Sequence, residues 1–123
     1  ESIVTYGTPV HLAPQAAERL QKEENISVEV VDLRSIVPYD KDAIARTVTK
    51  TGKVLVLQEA NRTGGFGGEI AAHISEALFE HLDAPVFRLG SKDIPVGFAK
   101  NLEKEILVNA DDVYRTTLQL ARY

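Results

Sequence analysis

Lys53-Val54-Leu55-Val56-Leu57-Gln58-Glu59-Ala60-Asn61-Arg62-Thr63-Gly64-Gly65-Phe66-Gly67-Gly68-Glu69-Ile70 reads as a buried strand, a glycine-rich turn and the start of a helix. The apolar run Val54–Leu57 suits a strand covered on both faces. Gly64, Gly65, Gly67 and Gly68 let the backbone turn sharply and leave N–H groups unshielded. Ile70, Ile74, Leu78 and Leu82 then recur on one helical stripe, which predicts a long helix with His81 in its last turn. Strand, turn and helix form a βα unit, and the rest of the chain repeats it.

Upstream, Ile3–Tyr6 predicts the first strand and His11–Glu24 a helix, with Leu12, Ala16 and Leu20 on one face and Asn25 closing it. Ser27–Leu33 predicts the second strand, and Arg34–Tyr39 a loop. Asp40 is placed to cap a helix whose stripe is Ile44 and Val48, and Gly52 is placed to end it. Downstream, Pro85–Leu89 predicts a fourth strand, and Gly90–Leu102 reads as irregular. Glu103–Val108 can add a helical turn. Asn109 and Asp112 make a capping-box-like pair before a last helix that can bury Val113, Leu118 and Leu120 and ends at Arg122.

Four strands alternating with helices predict a three-layer α/β/α fold around a mainly parallel sheet. Right-handed crossovers restrict the possible strand orders, and a doubly wound order such as 2-1-3-4 is expected. The topological switch point then falls between strands one and three, and its crevice is expected to be lined by Gly7-Thr8 and by Glu59 through Gly68.

The 123 residues suffice for one domain spanning 1–123. Glu1 leads straight into strand-like sequence and the chain has no methionine, so a piece of a longer polypeptide is expected. Net charge is −4 with acidic residues spread throughout, which gives no nucleic-acid footprint. No apolar run approaches the roughly 18 residues of a membrane helix. The absence of cysteine excludes disulfides and thiol catalysis.

The glycine turn is built like an anion cradle at a helix N-terminus. It lacks the Lys-Ser/Thr of a phosphate-binding loop, and Ile70 stands where the dinucleotide fingerprint needs its third glycine. Close packing of turn, helix and a neighbouring surface is the competing reading. Glu59, at the end of a buried strand, can serve as a general base or pair with Arg34 or Arg62. Arg34 can reach an anion, or a carboxylate on another subunit, or form an internal salt bridge. The histidines stand without a carboxylate pattern for metal, and no serine elbow or triad is present. The residues thus describe an α/β domain without a self-sufficient active site.

Several segments together resemble a known family. Val30-Val31-Asp32-Leu33-Arg34-Ser35-Ile36-Val37-Pro38-Tyr39-Asp40 is one, and Lys50-Thr51-Gly52-Lys53-Val54-Leu55-Val56 is another. Gln58-Glu59-Ala60 followed by Gly64-Gly65-Phe66-Gly67-Gly68-Glu69-Ile70-Ala71-Ala72, and Leu82-Asp83-Ala84-Pro85-Val86-Phe87-Arg88-Leu89, complete the series. In this order they resemble the transketolase-like C-terminal domain of the beta subunit of thiamine-dependent 2-oxo acid dehydrogenases, the pyruvate and branched-chain members. The tail departs from the family pattern: Asp93-Ile94-Pro95 is followed by Val96-Gly97-Phe98-Ala99, and Leu107 by Val108, where further prolines are usual.

The resemblance implies a parent enzyme that decarboxylates a 2-oxo acid and reductively acylates a lipoyl group. Thiamine diphosphate and Mg2+ would be bound by domains outside this chain. The chain's own role would be assembly, with Arg34, Glu59, Gly64, Gly65, Phe66, Gly67 and Gly68 as interface elements. The implied partners are an alpha-type subunit or domain, a second beta subunit and the lipoyl acyltransferase core. Bacterial cytoplasm or an organelle matrix would be the location. An antiparallel edge strand would precede residue 1, and without it strand two would be an exposed edge. The corresponding domain of a transketolase or of a 1-deoxyxylulose-5-phosphate synthase is the near alternative. A free-standing flavodoxin-like module holding an anion at the glycine turn is the alternative of another class.

Overall fold

The computed structural model describes residues 1–34, 38–61, 65–91 and 108–123, without the side chains of Thr8, Glu59, Ala60, Asn61 and Ser91. Its strands are β1 (Ser2–Thr5), β2 (Glu29–Asp32), β3 (Val54–Asn61) and β4 (Phe87–Ser91). Its α-helices are α1 (Leu12–Glu24), α2 (Lys41–Thr51), α3 (Phe66–Ala77) and α4 (Ala110–Ala121). The four strands form one parallel sheet, as the alternation predicts, and its order β2-β1-β3-β4 is the doubly wound order expected.

Period-two alternation splits the apolar residues between two layers. Ile3, Leu55 and Leu57 face α1 and α4, where Ala16, Leu20, Val113 and Leu120 close the core. Val4, Val54 and Val56 face α2 and α3, where Ile44, Val48, Ile70 and Ile74 do the same. The second layer also takes in polar groups. Ser2 Oγ lies 2.6 Å from Thr47 Oγ1 and 2.7 Å from Thr51 Oγ1, so buried hydroxyls satisfy one another where α2 meets β1.

The caps follow their local chemistry. Asp40 Oδ1 accepts from the Ala43 N–H at 2.9 Å. Asn109 and Asp112 complete a reciprocal capping box, at 2.9 and 3.2 Å. Asn25 (φ 55°) and Gly52 (φ 75°) end α1 and α2 in the left-handed region. Arg122 caps α4 and reaches Glu24 at 3.1 Å, tying α4 to α1.

Several expectations need correction. The long helix stops at Ala77: Leu78 leaves helical geometry, Phe79–His81 form a 3-10 turn, and Leu82 is extended. His81 therefore belongs to that turn. The chain must dock there, because the Asp83 N–H donates to the Gly52 carbonyl at 2.8 Å before β4 begins. Leu78 and Leu82 still pack on the α2–α3 layer. His11 belongs to a 3-10 helix, Thr8–His11, that leads into α1. β3 runs four residues beyond the apolar run, to Asn61, with an irregular register against β4 between Leu57 and Asn61. Gly90 lies within β4, while 92–102 of the expected irregular stretch and 103–107 of the expected helical turn fall outside the described residues.

Candidate interface groove at the glycine turn

The carboxyl end of β3 leads into the glycine turn, and Gly65 is the N-cap of α3. An open groove of about 1050 Å³ lies at this helix start. Gly65, Phe66, Gly68 and Glu69 form one wall, and Pro38 through Asp42, the entry to α2, form the other. Arg88 of β4 also lines it.

Among the described residues Gly7 is not part of the lining, and the side chain of Thr8 falls outside the described residues. Gly7 adopts φ 74°, and the chain turns there into the 3-10 helix that feeds α1, whose core lies on the other side of the sheet. The segment after β2 supplies the second wall instead, because α2 and α3 share a layer. Tyr6 is the part of the β1 end that still reaches the site.

Aromatic side chains hold the two walls together. The Phe66 ring meets Tyr6 edge-on at 6.1 Å between centroids, and Tyr39 edge-on at 5.5 Å. Tyr39 in turn meets His73 at 6.0 Å, and Lys41 Nζ lies 5.5 Å from the Tyr39 ring centre. Each edge-to-face pair adds about 0.5–1.5 kcal/mol beyond the area it buries. Burial pushes the Tyr6 phenol above its ordinary pKa, opposed by the Gly67 backbone and the Arg88 charge. Burial, and then the Glu69 charge, raise that of Tyr39. Both hydroxyls therefore stay neutral at physiological pH.

Gly67 is buried, and its requirement for glycine is steric. A Cβ there would overlap Gln58 Oε1 and lie 2.9 Å from Gln58 Cδ and 3.3 Å from Val56 Cγ1. Gln58 is itself 2 % exposed, so it has little space to yield. At Gly68 a Cβ would sit 3.1 Å from Arg88 Nη2. The glycines thus bring α3 down onto β3 and β4, which is the close-packing reading of the turn.

The predicted interface residues separate into groups. Gly65, Phe66 and Gly68 line the groove, and Gly67 lies buried behind it. Phe66 is half-buried between two tyrosines. Arg34 is exposed and is not part of the groove lining. Glu59 is placed by its backbone in β3, and Gly64 falls outside the described residues. Sequence reasoning missed Tyr6, Tyr39 and Arg88. Arg88 left a signal, a charge between Phe87 and Leu89 in an otherwise apolar strand. The tyrosines left none beyond their types.

Among the described residues no three His, Asp or Glu side chains converge to hold a metal ion. A second cleft, of about 680 Å³, runs along α3 past Gly68, Ala72 and Ser75 to Phe79, which is 72 % exposed.

A doubly wound parallel sheet with a glycine turn at the switch point defines a broad class of α/β domain. Within it the chain belongs to the family described as transketolase, C-terminal domain, whose model matches residues 2–113. It is 46% identical to the 2-oxoisovalerate dehydrogenase subunit beta of Bacillus subtilis over 99% of this chain and 37% of that protein. It is 45% identical to the pyruvate dehydrogenase E1 component subunit beta of Rickettsia bellii, over 91% of this chain and 34% of that protein. The chain thus spans about a third of the length of these relatives. A solved structure, a split-gene transketolase in the form of an inactive beta4 tetramer, superposes with a TM-score of 0.76. That match has 28% identity and covers 97% of this chain and 37% of the other.

Proposed function

We propose that residues 1–123 are one domain of a longer beta subunit of a thiamine diphosphate-dependent 2-oxo acid dehydrogenase, and that its task is assembly and partner docking. The observation that carries this reading is the 46% identity with a 2-oxoisovalerate dehydrogenase beta subunit, which runs through 99% of the chain. The groove agrees with it. Aromatic rings and glycines make a rigid, shaped surface, and Asp42 and Glu69 give it an exposed charged rim.

In this reading the parent decarboxylates a 2-oxo acid and passes the acyl group to a lipoyl acceptor. Thiamine diphosphate supplies the carbanion chemistry when bound, and the protein supplies orientation. Its partners are an alpha-type subunit or domain, a second beta subunit and the lipoyl acyltransferase core. Its location is bacterial cytoplasm or an organelle matrix.

The test uses the full-length parent, expressed with its neighbouring subunit. Purified protein is given thiamine diphosphate, Mg2+ and a lipoyl domain, with 2-oxoisovalerate or pyruvate as donor. Acylation of the lipoyl domain by either acid supports the reading. A protein that instead transfers ketol units between sugar phosphates, and ignores the lipoyl domain, is a transketolase, the reading that the split-gene structure favours. The interface is tested by Asp42→Arg with Glu69→Arg. Both sites are exposed on the groove rim in the first turns of α2 and α3, so the reversal should cost stability only about 1–2 kcal/mol, checked by urea titration, while assembly, read by light scattering, falls at least about tenfold in affinity. Unchanged assembly would remove the groove from the interface.

A further inference from the structure

We draw no further inference here: the strongest candidate, the small-residue cleft that runs along α3 to the exposed ring of Phe79, is an unpartnered apolar face, and nothing in the structure shows what covers it.

Discussion

The two faces of the sheet are built from the same strands and finished in opposite ways. Among the described residues the α1–α4 face is closed by aliphatic packing. Leu20, Leu55, Leu57, Val113 and Leu120 fill it, and its border is laced by Arg19–Glu23, Arg19–Asp111 and Arg122–Glu24 pairs. Arg19 also lies over the Tyr114 ring at 3.7 Å. The α2–α3 face is filled to equal depth at its centre, yet its carboxyl end opens into the groove. There the packing passes from aliphatic side chains to rings, glycines and the buried amide of Gln58. Aliphatic packing tolerates small rearrangements, because it has no direction to satisfy. Packing of a backbone against a buried polar side chain tolerates less, because one added methyl group forces Gln58 to shift within a closed space.

That contrast breaks most visibly on the closed face. Leu120 is fully buried in the α1–α4 core, and Leu120→Ala should cost about 3 kcal/mol in a urea titration. The groove end should be spared, so the environment of Phe66 and Tyr39 in the folded variant, read by near-ultraviolet dichroism, should stay the same. A change there would mean that the two faces are coupled through the sheet.

The next effect belongs to the open face. Gly67→Ala adds only one methyl group, yet it drives a Cβ into Gln58 and should cost about 1–3 kcal/mol. Combined with Gln58→Ala, its cost should be smaller than in the presence of Gln58, because the overlap is gone. Strict additivity of the two changes would show that the turn does not rest on Gln58.

The smallest effect lies at the amino end of β1 and depends on pH. Burial raises the Glu1 carboxyl from 4.5 to about 7, against the pull of the terminal ammonium and Lys53. The folded state therefore holds this proton more tightly than the unfolded chain does. The stabilisation is complete below pH 4.5 and is lost as pH rises through about 7. Glu1 is only half-buried, so solvent screening holds the change to about 1 kcal/mol. Glu1→Gln should flatten that part of the stability–pH curve in the 123-residue chain. A slope that survives the substitution would assign the titration to another group.

Much of the fold was legible because its signals are local. The parallel sense of the sheet follows from strands alternating with helices, and Asp40, Gly52, Asn25 and the Asn109–Asp112 pair each act within one turn of their own helix. The long stripe ending at Leu82 misled for a physical reason. Leu78 and Leu82 flank the 3-10 turn and still pack on the same core that a continued helix would give them, so their spacing could not reveal that α3 ends at Ala77. The groove was only half legible. Its glycine wall is written in consecutive residues, but the opposing wall lies more than twenty residues earlier and is brought there by the shared α2–α3 layer.

The amino-acid sequence by itself determined the succession of strands and helices, their caps, the class of sheet and the position of the glycine turn. Each of these depends on hydrophobic period, or on a side chain reaching its own backbone, within a few residues. Tertiary structure alone decided that Phe66 turns between Tyr6 and Tyr39, that Gln58 occupies the space over Gly67, and that Pro38–Asp42 faces the turn. These contacts join residues distant in the chain, and their geometry exists only after the sheet has brought the segments together.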